Sequence, residues 1–587
     1  MKRIRTIYLI LSALFAFGSC TNLDENVYDK VLSNNYYNSR QDVINSVFRP
    51  FEHVFESVQS SFRVQEMSAD HFITPTRGTW WYDGGRHERF HRHEWNDLGE
   101  AHNNWSACWT SMYSGIGQCN LVLDMLTAED RNRFDISEEE WNHFIGQDKT
   151  MRAFCYINLL DSFRNIILIT TADQAVINQP DAMKQVAPRE VFDFVEKELL
   201  EGLQTLKEKP SKGGNGLMQG QFTKAAAAAL LVRLYLNAEV WVGEPMYDKC
   251  IQMCQRIEDG EFGPYELSPV WSAPFDWNNE TCDEVIFAFP AAYGYTYWHT
   301  QNDSRTIYGR GMPYGCQYYL GIEGGGTRNP QYALTPSYDN QNPRQLFSYK
   351  LGMVTQKFEK YAGDIRYKQY KNLTANSREG MFFLEGYIEG KDGAHAKEPY
   401  GTYDIYLLDQ VGRFEGGAPS GTISSARGRE STMGNGDFNS GLYCMKYPFY
   451  SYNGGYYCAS DYTVIRFAEV LYSKAECLLR QGKDSEAARV LNSVRKRNYS
   501  TFGANVAYKP EGNIDLDMDE MLDEWGREFL MEGRRRIDLI RFGRFQDEWW
   551  DKQAEPDNHT NIMPLGRTVL EQNPYLKQNP GYPDIDR

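Results

Sequence analysis

DYTVIRFAEVLYSKAECLLRQGKDSEAARVLNSVRKRNYS, residues 461–500, carries apolar side chains at Ile465, Ala468, Tyr472, Ala475 and Leu479. Those steps of three and four mark a helix with one buried face. Gly482 fits a left-handed stop, and Asp484 is placed to cap a second helix with Ala487, Leu491 and Val494 on its inner stripe. Two helices joined by so short a turn predict an αα-hairpin, and the small side chains of Ala468, Ala475 and Ala487 allow close approach. This is tetratricopeptide-like grammar without the strict repeat consensus. Residues 522–545, LDEWGREFLMEGRRRIDLIRFGRF, continue the helical pattern. Here Glu532 with Arg536 and Asp538 with Arg541 have the spacing of local helix ion pairs, so the arginine run 534–536 reads as scaffold rather than as an anion site.

Working outward, the first residues read as a processing signal. Lys2, Arg3 and Arg5 precede an apolar stretch, Ile7 to Phe17, that is too short to span a bilayer. Phe17-Gly18-Ser19-Cys20 has the form of a lipobox, which makes Cys20 the expected lipidation site and residues 1–19 a signal peptide. Such a protein is anchored to a membrane rather than spanning it. The acidic Asp24 and Glu25 follow closely, as in an export tag for the outer face. The chain of 587 residues has a formal charge of −17, which argues against nucleic acid as a partner, because that binding rests on basic patches.

Helical periodicity recurs over residues 36–55, 105–123, 141–163, 188–206, 223–236 and 247–257. Residues 261–460 change character, being rich in Gly, Tyr, Pro and Asn, with short strands expected near 284–289, 380–387 and 403–408. The reading is a mainly α protein with about four tetratricopeptide-like helical hairpins and an inserted, irregular, loop-rich lobe containing short strands. Its regions are 20–260, 261–460 and 461–587.

Aromatic residues make up 14% of the chain, more than a helical array needs for its core. Trp80, Trp81 and Tyr82 lie in a polar loop flanked by glycine, where exposed tryptophan is costly unless something binds it. Sugar rings present an apolar C–H face on which aromatic rings stack, while polar neighbours fix the hydroxyls. Arg77, Asp83 and Arg86 could supply those bonds, Asp70 begins the loop, and Tyr295, Tyr297 and Trp298 in the lobe would complete the platform. In an extended loop Trp80 and Trp81 point opposite ways, so one of them is expected to meet ligand.

Other constellations are weaker. His87 to His91 matches H-E-x-x-H literally, but it follows Gly84-Gly85 and lacks a stable helix, so no metal site is expected. No carboxylate pair stands out by spacing for glycoside hydrolysis, and Gly324 to Gly326 lack the lysine and helix of a phosphate loop. A disulfide is possible between Cys108 and Cys119, whereas Cys155 and Cys477 read as buried thiols.

Together these motifs resemble the SusD/RagB family of surface nutrient-binding lipoproteins. The likeness rests on the lipobox, on Trp109, Tyr113, Ile116 and Asn120, on the RAF motif beginning at Arg152, and on KAAAAALLVRLYL at 224–236. It continues through DEVIFAF at 283–289, IRFAEVLYSKAECL at 465–478 and GREFLMEGRRRIDLIRFG at 526–543. One departure is Phe163-Arg164-Asn165-Ile166-Ile167, where the family usually has Phe-Gly-x-Val-Pro. The resemblance implies a non-enzymatic protein without cofactor, held in the outer membrane by its lipid and exposed on the outer surface. It would capture an oligosaccharide or polysaccharide and deliver it to a SusC-like TonB-dependent transporter. Peptide capture, as in the RagB branch, and a surface glycoside hydrolase are the alternatives.

Overall fold

The computed structural model describes residues 37–96, 99, 105–213, 218–291, 312–320, 331–374, 377–414, 423, 425–452, 455–457 and 460–585. Cys20, Tyr295, Tyr297, Trp298 and Gly324 to Gly326 lie outside them.

The scaffold is built from eight long helices in four neighbouring pairs. α1 (Arg40–Phe62) packs on α2 (Ser106–Met125), α3 (Glu138–Phe163) on α4 (Pro188–Thr205), α5 (Lys224–Leu236) on α6 (Tyr247–Glu258), and α7 (Phe467–Arg480) on α8 (Asp484–Arg495). Each pair also touches the next, α2 with α3, α4 with α5 and α6 with α7, so the expected four-hairpin array is formed. No described helix is long and apolar enough to cross a membrane.

Local signals set the boundaries. The Ser39 hydroxyl accepts the Asp42 N–H at 3.1 Å to open α1, and Thr223 caps α5 by accepting from Ala226. Ala187 is extended before Pro188, the first residue of α4. Gly482 takes φ +72° to end α7. Asp484, however, is the first helical residue of α8; Lys483 occupies the cap position and makes no side-chain cap bond. At Gly115, where α2 meets α1 and α3, a Cβ would lie 2.6 Å from Val54 and 3.0 Å from Cys155 Sγ, so only glycine lets these helices approach so closely.

Cys108 and Cys119 are separate buried thiols, not a disulfide, and Cys155 and Cys477 are likewise buried and free. Where the family motif has glycine, Arg164 holds φ +57° and ψ −58°, and the Asn165 N–H reaches the Phe163 carbonyl at 2.5 Å. This is a γ-turn that is strained for a residue with a side chain.

Between α6 and α7 the chain forms the irregular lobe, and every sheet among the described residues has two strands. Strand Val285–Phe289 pairs antiparallel with Tyr462–Arg466, tying the beginning of the lobe to its end. Strand Phe72–Ile73 pairs with Ala333–Leu334, joining the N-terminal half to the lobe.

Helices α9 (Met518–Glu528) and α10 (Arg535–Arg541) bind these parts together through buried charge. The three consecutive arginines diverge. Arg534 pairs with Asp538 at 3.0 Å and Glu469 at 3.1 Å, Arg535 with Asp70 at 2.7 Å, and Arg536 with Asp161 of α3 at 3.1 Å. The local Glu532–Arg536 pair expected from spacing is not made, because Glu532 turns to Lys446 at 2.6 Å and Arg466 at 2.8 Å. The Asp538–Arg541 pair is made, at 2.9 Å. Glu528 accepts from Arg466, Arg497, Arg366 and Asn498 at 2.8–2.9 Å. Burial opposes its ionisation, but the surrounding cations hold this carboxyl well below the usual range.

Candidate functional site

The aromatic loop is anchored at both ends. Asp70 is wholly buried; Arg535 donates to both of its oxygens, at 2.7 and 3.0 Å, and the Gly352 N–H adds a bond of 2.7 Å. Burial alone would raise this carboxyl, yet Arg535, His71 and Lys357 hold it well below the ordinary range. Asp70 therefore fixes the start of the loop and does not face a ligand. Arg77 is also withdrawn: its guanidinium is buried and donates to the Tyr443 hydroxyl at 2.7 Å and the Ser440 carbonyl at 3.3 Å. Both were expected at the ligand. Charged side chains beside a tryptophan loop suggest contact with ligand, but here long-range partners draw them inside.

Above Arg77 the backbone closes a tight turn. Arg77 and Trp80 exchange two backbone bonds of 3.0 Å around Gly78 at φ +62°. The same strand segment is tied to the lobe through Thr76 N–H to Met433 and Gly436 N–H to Thr76. Trp81 then adopts φ +63° and Asp83 φ +41°, conformations uncommon for residues with side chains. Such strain persists only where surrounding structure over-determines it.

That kink replaces the simple alternation expected of an extended loop. Trp80 turns toward the lobe, with its ring edge-to-face against Tyr314 at 6.0 Å and Phe438 at 5.4 Å. Trp81 turns toward the short helix Arg86–His91 and sits edge-on to His87 at 6.1 Å. Both tryptophans remain half-buried, and Tyr82 beside them is 59% exposed. Asp83 accepts from His87 Nε2 at 3.1 Å and Arg86 at 3.2 Å. The result is a rigid aromatic rim whose polar edge carries Asp83 and Arg86. Tyr314 and Phe438 were missed in the sequence, because each is a single aromatic residue in an irregular segment; a neighbouring glycine, Gly315 for Tyr314, is the one local hint.

The H-E-x-x-H residues do lie on a helix, though of only six residues, and their partners diverge. His87 turns to Asp83, while His91, pushed down to about 3 by burial, donates to the Trp550 carbonyl at 2.8 Å. His93 bridges Glu555 and the Ser68 carbonyl. Among the described residues no group of His, Cys, Asp or Glu is arranged to hold a metal ion.

Comparison with known proteins identifies the family and the fold. A family model described as SusD family matches residues 284–582, and another, described as starch-binding associating with outer membrane, matches residues 23–236. Starch-binding protein SusD of Bacteroides thetaiotaomicron is 28% identical over 386 residues, covering 62% of this chain and 61% of that protein, less than two thirds of its length. Among solved structures, NanU of B. fragilis superposes with a TM-score of 0.65 at 19% identity, covering 94% of this chain and 99% of that one. Surface glycan-binding protein A of Bacteroides uniformis gives 0.61 at 18% identity, covering 92% and 99%. A laminarin-binding SusD-like protein gives 0.55 at 17% identity, covering 93% and 100%. At these identities the structures speak for the fold, while the SusD family model spans half of the chain, from strand Val285–Phe289 through the lobe to α7, α8 and the C-terminal helices. The chain belongs to the SusD family.

Proposed function

We propose that this protein is a non-enzymatic glycan-binding lipoprotein of the outer membrane, exposed on the outer surface, that passes its ligand to a SusC-like TonB-dependent transporter. The observation that carries the reading is the aromatic rim of Trp80, Trp81 and Tyr82, braced by Tyr314 and Phe438 and edged by Asp83 and Arg86. Part-exposed aromatic rings with adjacent hydrogen-bonding groups suit a sugar ring, which is apolar on its faces and polar around its edge. The relatives whose names state a ligand bind starch, glycan or laminarin, which supports the same class for this chain. Tyr295, Tyr297 and Trp298 remain proposed additions to the platform, and Cys20 remains the proposed lipidation site.

The test is a panel of intact polysaccharides and peptides, measured by affinity electrophoresis and calorimetry with the full chain. At least one polysaccharide should bind and be recovered uncleaved, with binding weakened in Trp81→Ala and Tyr82→Ala while the thermal transition is preserved. Binding of peptides alone would move the reading to peptide capture. Cleavage of the bound polymer, abolished by replacing one carboxylate, would make the protein a hydrolase.

A further inference from the structure

A second group of exposed aromatic residues lies in the lobe, outside the loop described above. Strand Gly386–Tyr387 pairs antiparallel with strand Tyr406–Leu407, and the chain between them is folded back by bridges joining Glu389 to His395 and Lys397 to Asp404. The short helix Cys316–Leu320 lies against this unit. Gly390 permits the contact, since a Cβ there would meet the Tyr318 ring at 2.3 Å. Tyr318, Tyr387 and Tyr400 are 37%, 40% and 69% exposed.

The Tyr318 and Tyr387 rings are held by neighbouring side chains. The Tyr318 hydroxyl donates to Asp392 at 2.8 Å. Tyr387 is backed by the His395 imidazole, centroids 3.8 Å apart and planes within 7°, and is braced edge-on by Tyr406 at 4.9 Å. One face of Tyr387 is thus covered by His395, while the residue stays part-exposed. His395 is itself oriented by Asp404 at 3.2 Å, a carboxylate that also takes Lys397 at 2.9 Å. Tyr400 stands at a turn where Glu398 accepts the N–H groups of Tyr400 and Thr402 at 2.7 and 2.6 Å. Ordered aromatic surface of this kind is unusual unless it meets a ligand or partner.

The patch is tied to the first platform through buried neighbours. Tyr406 N–H donates to the Asn439 side chain at 2.9 Å, and the neighbouring Phe438 N–H to the Tyr403 hydroxyl at 3.3 Å. Phe438 in turn meets both Trp80 and Tyr314 at 5.4 Å. Two strand spacings of roughly 5 Å each separate the Phe438 segment from Tyr387. A single sugar ring does not cover that span, and a short oligosaccharide does.

We propose that Tyr387, backed by His395 and flanked by Asp404, Tyr318 and Tyr400, is a second sugar-binding subsite that holds a distal ring of the same glycan chain engaged by Trp80, Trp81 and Tyr82. The ligand is then an extended oligosaccharide. This inference rests on the glycan-binding reading above.

The experiment compares wild type, Tyr82→Ala, Tyr387→Ala and Tyr400→Ala by calorimetry, using the polysaccharide from the panel that binds most tightly and a ladder of its oligosaccharides made by partial hydrolysis. Tyr387→Ala should weaken the polymer and the longer oligosaccharides about three- to tenfold, the range expected for one aromatic contact, and leave the shortest bound oligosaccharide unchanged. Tyr82→Ala should weaken every length. Equal affinities for wild type and Tyr387→Ala at all lengths would overturn the subsite while leaving the first platform standing, as would a loss equal at all lengths. If no polysaccharide binds wild type, the glycan-binding reading fails and the subsite with it. Should Tyr387→Ala fail to fold, Tyr400→Ala gives the same length-dependent readout.

Discussion

Replacing Arg535 with methionine tests how the loop is held. Arg535 is 2% exposed, and its guanidinium donates to both oxygens of Asp70, which is 0% exposed. The substitution keeps an apolar stem but strands a buried carboxylate, leaving it the Gly352 N–H and the Lys357 ammonium at 3.6 Å. Breaking one side of a buried pair costs about 3–5 kcal/mol. Spread over a chain of this size, with an unfolding entropy of about 2 cal/mol/K per residue, that lowers Tm by only about 3 °C, so denaturant titration is the better assay. The sign of the pH dependence also changes. In wild type the Asp70 carboxyl is depressed, so its contribution is present above its unfolded value and lost as pH falls through its folded value. In Arg535→Met burial dominates and raises that carboxyl, so the deficit relative to wild type should shrink as pH falls. Adding Asp70→Asn should recover much of the loss, giving a coupling of at least about 2 kcal/mol. A single-variant cost below about 1 kcal/mol, or strictly additive losses, would refute the claim that this pair fixes the loop.

Two other predictions concern stored cost in the fold. Glu66 lies in a buried π-helical turn, Arg63–Met67; one oxygen accepts from the N–H groups of Gly533 and Arg534, and the other has no hydrogen-bond partner among the described residues. Burial raises it from 4.5 to about 7, so its stabilising contribution is full below about pH 4.5 and lost as pH rises through about 7. Glu66→Gln should remove about 3 kcal/mol of that alkaline loss, seen as a stability difference between variant and wild type that grows from about pH 5 to 8; parallel profiles would contradict it. Arg164→Gly should stabilise the protein by about 1 kcal/mol by relieving the γ-turn, and a lower denaturant midpoint would show that the buried Arg164 side chain contributes more than its backbone strain costs.

The helices were legible because their signals are local. Periodicity placed α7 and α8, Pro188 opened α4, and Gly482 ended α7. The ion pairs were not, because spacing reveals only near neighbours. Glu532 and Arg536 sit four apart, yet their partners Arg466 and Asp161 lie 66 and 375 residues away. The same limit explains the site. Trp80, Trp81 and Tyr82 stood out by composition, but nothing near Asp70 or Arg77 told that Arg535 and Tyr443 would bury them. The positive φ of Trp81, which splits the two tryptophans between the lobe and the short helix, depends on packing on both sides of the loop.

The most direct measurement is a crystal structure of the protein with an oligosaccharide from the polymer that it binds. A sugar ring is expected against the rim formed by Trp80, Trp81 and Tyr82, with hydroxyls in hydrogen-bond reach of Asp83 or Arg86, and the chain running toward Tyr387. A sugar bound on the helical-hairpin face, with the Trp80 to Tyr82 rim empty, would contradict it.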